Sequence, residues 1–318
     1  MKKRLSIIAL FASLLALALA SVSFAAGAFP DKNLKIIVPF APGGGVDVSC
    51  RLMAEVAEKH LGGKKIIVEN MPGGGAVIGQ TSVARAKPDG YTLLAYTSSV
   101  VSNPMTKTTT YDHKSFKTVA MYCFDPEILV VPADSPYKTL KEFLNAAKIS
   151  EISLATPGHS TSHHIASLIL EAFIGVKFGY VHNESAAMQV QQILGGHVDS
   201  AMMALGESVG YINDGSMRPL GMMTLGRDAD FPEIATFSEE GIDIEWGAFR
   251  GLAVPVGTPD DVVKQLDELF AKIINDPEYG EKMKKAGFPV VYKSAEDFSA
   301  YVDDVAVALE KIIPTLNR

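Results

Sequence analysis

The feature that most constrains the fold is an alternation of short apolar segments with helix-like segments, joined by glycine-rich turns. Residues 34–39 form an apolar run with β-branched side chains, which is typical of a buried parallel strand. Asp47 then precedes apolar residues spaced as on one helical face, and the glycine pair at 62–63 predicts the end of that helix. Two more strands, at 65–68 and 91–96, enclose a second helix, so the order is βαβαβ.

Glycine-rich loops follow the first two strands of this unit. Right-handed crossovers make the strands parallel, which brings the loops after them to one sheet edge, where open α/β sheets bind ligands. Both loops carry Pro-Gly-Gly-Gly, at 42–45 and 72–75. Glycine lets main-chain N–H groups approach a ligand, and the helix N-terminus beyond it favours negative charge. The loops therefore predict a carboxylate site, with tight turns that bind nothing as the alternative.

The middle of the chain repeats this plan with other residues. Strands are predicted at 152–155, 177–181 and 198–204, and the first two lead into "TPGHSTSHH" and "HNES". The segments that join the two halves indicate strands that cross from one half to the other and back. We therefore expect an α/β fold of two lobes, each a mixed, mainly parallel sheet flanked by helices, with two crossing hinge strands. The expected lobes are lobe 1, at 29–127 plus 252–318, and lobe 2, at 128–251.

The N-terminus has the features of a secretory signal. A basic start precedes an apolar run at 5–20, and small residues at Ser23 and Ala25 fit a cleavage site. A membrane anchor is the alternative, but the run is short for a span of about 20 residues. We predict a signal peptide at 1–25, cleaved on export to the periplasm.

The net charge limits which partners the chain can bind, and its two cysteines raise the question of a disulfide. The whole chain has a formal charge of −7. Cleavage of the signal would remove the positive charges of Lys2, Lys3 and Arg4, which leaves −7 − 3 = −10 for the mature chain. So acidic a chain argues against nucleic acid as a partner.

The sequence contains two cysteines, Cys50 and Cys123, and we favour two buried free thiols. A disulfide between them stays open because sequence cannot place them within bonding distance.

Nucleotide-binding motifs are absent from the glycine loops. The phosphate-binding pattern G-x-x-x-x-G-K-[ST] does not occur, and glycines 73, 75 and 79 have the wrong spacing for a dinucleotide fingerprint. We predict no cofactor.

Signals of catalysis or metal binding are weak. "GESVG" at 206–210 matches the nucleophile pattern G-x-S-x-G, but every histidine precedes Ser208, whereas an α/β-hydrolase places its histidine after the serine. His159, His163 and His164 lie close in sequence without a cysteine or carboxylate cluster at metal-site spacing. Solvated helix-start residues and direct ligand contact by His163 both stay open.

Asp47 has two interpretations. As a helix N-cap it would satisfy free N–H groups, and as a cleft residue it would accept a hydrogen bond from a ligand or a water. Capping is favoured on sequence grounds.

Five segments together resemble one protein family. "VPFAPGGGVDVSCRLMA", "VENMPGGGAVIGQTSVARAKPDGYTLL", "GGHVDSAMMA", "DFPEIATFSEEGID" and "RGLAVPVGTPDDVV" occur in the order and spacing of the tripartite tricarboxylate transporter solute receptors, also called Bug receptors. The resemblance implies a two-lobed, type II periplasmic-binding-protein-like fold without catalysis. It also implies a monomer that delivers a di- or tricarboxylate, or a related acid, to a membrane permease with one large and one small subunit.

The resemblance further implies a set of ligand-binding residues. In lobe 1 these are Phe40, Ala41, Gly44, Gly45, Asp47, Gly74, Gly75, Thr97 and Ser98. In lobe 2 they are Thr156, Gly158, Ser160, Thr161, His163 and Asp199.

Two departures from the family pattern leave the ligand open. Residues 181–185 are Val-His-Asn-Glu-Ser where members commonly have Val-Pro-Tyr-Lys-Gly, and Val46 replaces a frequent threonine. A secreted hydrolase that uses Ser208 or Ser160, and a module that presents ligand to a membrane sensor, are the competing functions.

Overall fold

A computed structural model describes residues 29 to 316, and the chain from Lys32 onward forms one compact unit. The predicted signal peptide at 1–25 lies outside the described residues. The strands are β1 (Leu34–Val38), β2 (Ile66–Asn70), β3 (Thr92–Thr97), β4 (Phe116–Pro132), β5 (Ser153–Thr156), β6 (Gly179–His182), β7 (Ser200–Ala204), β8 (Met217–Met222), β9 (Gly247–Pro255) and β10 (Val290–Lys293).

Helices alternate with these strands through most of the chain. The α-helices are α1 (Gly45–Ala57), α2 (Val77–Ala84), α3 (Ser99–Thr106), α4 (Leu140–Ala147), α5 (Ser162–Ile174), α6 (Ala186–Leu194), α7 (Leu205–Asn213), α8 (Asp260–Ile274), α9 (Pro277–Lys285) and α10 (Ala295–Leu316). Short 3₁₀ segments occur at Glu58–His60, His113–Ser115 and Phe237–Glu240. No helix within the described range is both long enough and apolar enough to cross a membrane.

The strands form two sheets that share β4. The first sheet has the order β2-β1-β3-β9-β4, with the first three strands parallel and β10 also paired to β4. The second sheet has β4, β7, β5 and β6 in that order, with β7, β5 and β6 parallel and β8 paired to β4. The predicted α/β fold with mainly parallel sheets is confirmed, and the six strands predicted above start within two residues of their predicted positions.

Two long strands connect the halves, as the sequence predicts. β4 is 17 residues long and passes from the first sheet into the second, and β9 runs antiparallel to it from Gly247 to Pro255. The lobe limits at 127/128 and 251/252 stay a prediction, because the two halves pack as parts of one compact unit.

The first helix shows why the sequence folds this way locally. Cys50, Met53, Val56 and Ala57 recur at three- or four-residue spacing and are all buried, so α1 packs one apolar face against the sheet. Cys50 and Cys123 are both buried and free, which confirms the preferred interpretation. Burial raises the pKa of each thiol to about 12, so both remain protonated and unreactive.

Candidate functional site

A small cavity lies where the carboxyl ends of strands from both sheets meet the starts of three helices. Gly45 and Val46 begin α1, Ser162 and His163 begin α5, and Ala186 begins α6, and all five line the cavity. Its volume is about 40 Å³, enough for very few water molecules. The remaining lining residues are Phe40, Gly44, Thr97, Pro157, Thr161, Glu207, Ala248, Phe249 and Arg250.

The three helix starts bring main-chain N–H groups and partial positive charge to the cavity. The first N–H groups of a helix have no acceptor within the helix, and the macrodipole places partial positive charge at that end. Gly44, the N-cap of α1, supplies no side-chain hydrogen bond to those N–H groups. The N-cap side chains of Thr161 and Ser185 accept from one N–H group each in α5 and α6, so α1 is the one of the three starts without a side-chain cap.

Arg250 on β9 adds a full positive charge to the cavity. The residue is 1% exposed, and its Nη1 donates to Asp125 Oδ2 at 3.1 Å while its Nη2 donates to Glu207 Oε1 at 3.0 Å. The sequence hypothesis did not include this cation. A signal was present, because Arg250 begins one of the segments that carry the family resemblance and interrupts an otherwise apolar strand.

The imidazole ring of His163 lies between the carboxyl groups of two acids. Its Nδ1 lies 2.7 Å from Glu127 Oε1 and its Nε2 lies 3.0 Å from Glu207 Oε2. Two ionised acids can be satisfied only if both ring nitrogens donate, so the ring is an imidazolium. Burial disfavours that charge, but the two carboxylates outweigh it and raise the pKa of His163 to about 10.

Glu207 connects the helix start of α1 to both cations. In addition to Arg250 and His163, its Oε1 accepts from the Gly45 N–H at 3.2 Å. Burial would raise the pKa of Glu207, but His163 and Arg250 lower it to about 2, so the group is a carboxylate at every physiological pH. The "GESVG" motif thus contributes an acid to the cavity, whereas Ser208 is buried and donates to Leu205 O.

The buried cluster carries one more acid than cations. Arg250 and His163 are cations, and Asp125, Glu127 and Glu207 are acids. Burial raises the pKa of Asp125 to about 6 although Arg250 opposes the shift. The formal charges of the five side chains, two positive and three negative, sum to −1. Sequence reasoning missed the acids because Asp125 and Glu127 belong to β4, whereas Glu207 lies about 80 residues away in α7, within a motif that indicates a nucleophilic serine.

Asp47 turns toward its own loop. It is the third residue of α1, so Gly44 and not Asp47 is the N-cap, which corrects the favoured interpretation. Its carboxylate accepts from the Gly43 N–H at 2.9 Å and from Arg51 at 3.0 Å. Burial would raise the pKa of Asp47, but Arg51 and the Gly43 N–H lower it. Asp47 lies outside the cavity and fixes the shape of the turn at 42–45.

The second glycine loop lies away from the cavity. The carbonyl groups of Gly74 and Gly75 accept from Lys107 Nζ at 3.1 Å and from Asn103 Nδ2 at 2.9 Å. Lys107 Nζ also donates to His159 O at 2.9 Å. Gly74 and Gly75 therefore take part in a contact between the two halves and do not line the cavity.

The predicted ligand-binding residues divide into three groups. Those that line the cavity are Phe40, Gly44, Gly45, Thr97, Thr161 and His163. Those that lie at contacts near it or pack behind it are Ala41, Asp47, Gly74, Gly75, Ser98, Thr156, Gly158 and Ser160. Asp199 is exposed, precedes β7 and binds Ser153, so it lies at the end of that strand remote from the cavity.

Three other histidines form a cluster beside the contact between the halves. The ring centroids of His159 and His164 are 4.6 Å apart, and those of His164 and His182 are 4.7 Å apart. Burial lowers the pKa of His164 to about 3 and that of His182 to about 4. Within residues 29 to 316, no group of three or more His, Cys, Asp or Glu side chains is arranged to hold a metal ion.

Comparisons with known proteins agree on one family. The model described as "Tripartite tricarboxylate transporter family receptor" matches residues 49–318. A Cupriavidus necator protein named "UPF0065 protein in gbd 5′ region" is 30% identical over 91% of this chain and 89% of its own length.

Solved structures extend the likeness to three dimensions. The periplasmic binding protein BugD is 28% identical with a TM-score of 0.85, over 91% of this chain and 99% of its own. MatC from Rhodopseudomonas palustris, solved with bound malate, is 25% identical with a TM-score of 0.84, over 90% of this chain and 100% of its own.

Proposed function

Since the chain belongs to the tripartite tricarboxylate transporter receptor family, we propose that it captures a small organic carboxylate in the cavity at Gly45 and Arg250. It then delivers the acid to a membrane transporter. The observation that carries this proposal is the convergence of three helix N-termini and two buried cations, Arg250 and His163, on one small space.

The acidic surface does not oppose this function. The whole chain has a formal charge of −7, but exposed charges are screened over about 8 Å at physiological ionic strength. Donors inside a water-poor cavity act at contact distance and in a lower dielectric, where each interaction is stronger. Local donors therefore decide which ligand binds.

The ligand class we propose is a di- or tricarboxylate or a related small acid. MatC, which shares the fold, was solved with malate. The cavity of about 40 Å³ favours a short ligand held between closed halves. Contacts that bridge the halves, such as Ala41 N to Glu184 O at 3.4 Å, support a mechanism in which ligand binding and closure are coupled.

We propose that the receptor acts without catalysis. Ser208 is buried and bound to Leu205 O, and the Ser160 hydroxyl is also buried and held by His159 and Thr106. Neither serine lines the cavity. The related proteins are solute-binding proteins. We further propose that the chain is exported to the periplasm, works as a monomer and serves a permease with one large and one small subunit.

Binding assays test the ligand class. Trp246 is the one tryptophan of the chain, and its Nε1 donates to the carbonyl of Ser162, which lines the cavity. Its fluorescence and isothermal calorimetry should both report binding of at least one acid among succinate, malate, citrate, glutamate, nicotinate and benzoate. Succinamide, the neutral analogue of succinate, is the control and should not bind. A panel in which no acid binds contradicts the proposal.

Uptake measurements separate transport from signalling. Deletion of the gene should abolish uptake of the radiolabelled acid that binds in vitro, and expression of the intact chain should restore it. Normal uptake in the deletion strain would instead favour the sensor-presenting module.

A further inference from the structure

Glu207 takes up the donors that an incoming carboxylate needs. Its Oε1 accepts from the Gly45 N–H at 3.2 Å and from Arg250 Nη2 at 3.0 Å, and its Oε2 accepts from His163 Nε2 at 3.0 Å. These donors are one amide at a helix N-terminus and two side-chain cations, the groups on which the proposed function rests. The protein's own carboxylate therefore lies where a ligand carboxylate is expected.

Glu207 is also the surplus charge of the buried cluster. Without it, Arg250 keeps Asp125 as a partner and His163 keeps Glu127, so two balanced pairs remain. A ligand carboxylate that replaces Glu207 leaves the number of buried charges unchanged. Exchange of one carboxylate for another therefore keeps every buried cation paired throughout.

A second depression lies next to the side chain of Glu207. It has a volume of about 430 Å³, and both this depression and the cavity are lined by Gly44, Gly45, Ala186 and Glu207. The side chain of Glu207 therefore forms part of the wall between the two spaces. Rotation about its side-chain bonds would carry the carboxylate from the cavity toward the larger space, where water could solvate it.

We propose that Glu207 is a displaceable gate, which fills the anion site of the unliganded receptor and swings into the depression when a ligand carboxylate takes over Gly45, Arg250 and His163. The inference rests on the proposed function and deepens it. Displacing Glu207 costs free energy that lowers the apparent affinity of every ligand. The gate consequently excludes weakly held monocarboxylates such as acetate and admits acids whose further groups bind elsewhere in the cavity.

Substitution of Glu207 separates a gate from a fixed ion pair. Glu207→Gln keeps the side-chain volume but removes the charge, so its hold on Arg250 and His163 weakens. Binding of succinate, malate and citrate is measured by calorimetry for wild type, Glu207→Gln and Glu207→Ala. We expect the acid that binds wild type to bind both variants at least tenfold more tightly. We also expect acetate and formate to bind Glu207→Ala and raise its Tm relative to chloride at equal ionic strength, with no such effect on wild type.

The outcomes distinguish the gate from the proposed function. Weaker or unchanged acid binding in folded Glu207→Gln overturns the gate and leaves Glu207 as a permanent part of the site. If Glu207→Ala does not fold, Glu207→Gln decides alone, because it retains the volume of the side chain. Failure of all three proteins to bind any acid overturns the proposed function itself. Glu239→Gln, which removes a surface carboxylate paired with Arg227, is the matched control and should leave binding unchanged.

Discussion

Two turns of identical sequence, Pro-Gly-Gly-Gly at 42–45 and at 72–75, differ in what they present to their surroundings. The first turn presents N–H groups: that of Gly45 meets Glu207 at the cavity, and that of Gly43 meets Asp47. The second presents carbonyl groups, which accept from Asn103 and Lys107 at the contact between the halves. One tetrapeptide therefore serves as a donor in one place and as an acceptor in the other.

Backbone conformation accounts for the difference. In the first turn only Gly43 has a positive φ, of 88°, and the 13-residue α1 begins at Gly45, so the N–H of Gly45 is free of the helix and donates to Glu207 at the cavity. In the second turn all three glycines have positive φ, and Ala76 follows at 80° before the eight-residue α2 begins. A glycine run therefore permits either polarity, and its tertiary partners select one.

Substituting the glycine closest to the cluster should have the largest effect. A Cβ at Gly45 would overlap Glu207 Oε1 and Arg250 Nη2, where the ligand carboxylate is expected. Gly45→Ala should therefore weaken acid binding about a hundredfold, or ~2.8 kcal/mol, as measured by calorimetry. Gly210→Ala is the matched control, because Gly210 is also helical and faces open space. Unchanged affinity in folded Gly45→Ala would remove the first turn from the site.

The equivalent change in the second turn should act on stability instead. Gly75 has a φ of 61°, and a Cβ there would lie 2.8 Å from His159 O. Left-handed backbone costs alanine about 1–2 kcal/mol, so Gly75→Ala should lower the free energy of unfolding by about 2 kcal/mol with the contact included. Urea denaturation measures the loss. Gly63→Ala, at a φ of 88° in open space, reports the backbone cost alone; equal losses in both variants would show that the contact with His159 is unimportant.

Acidification should produce the smallest effect and should also act near the second turn. His164 and His182 have folded pKa values of about 3 and about 4, below the ordinary value of 6.5. The unfolded chain therefore binds more protons between pH 6.5 and about 4, and stability falls as the pH falls through that window. Asp125, whose pKa is raised to about 6, acts in the opposite direction.

The contribution of the histidine cluster is measured as the difference in Tm loss on acidification between wild type and a variant that lacks one of its histidines. His182→Asn should lose less Tm than wild type between pH 7 and pH 5, by a few degrees. His197→Gln is the control, because His197 is exposed and lies outside the cluster. Equal losses in wild type and His182→Asn would show that the histidine cluster does not control acid stability.

The elements that the sequence predicts are those specified by local patterns. The apolar run at 34–39 and the spacing of Cys50, Met53 and Val56 each determine a strand or a helix face without reference to the rest of the chain. Parallel strands then bring the loops to one edge, which places Gly45 and Thr97 at the cavity as expected.

The charged part of the site lies beyond such reasoning. Arg250, Asp125 and Glu207 lie far apart in sequence and meet only after both sheets have formed, so no local spacing relates them. The different roles of the two glycine turns could not be predicted for the same reason, because they depend on residues distant in sequence. Their sequences are the same, and the donor that orients the second turn, Lys107, belongs to a different loop.

Three of the five buried charges lie on the strands that join the two sheets. Asp125 and Glu127 are two residues apart on β4. Arg250 is on β9, where it pairs with Cys123 of β4. Under the proposed function, flexing of those strands moves Arg250, a donor of the proposed anion site, so ligand binding and opening are coupled through the same side chains. A substitution there that changes the proposed ligand preference should therefore also change how stiffly the two halves open, which makes these positions poor choices for engineering new specificity and good ones for engineering slower release.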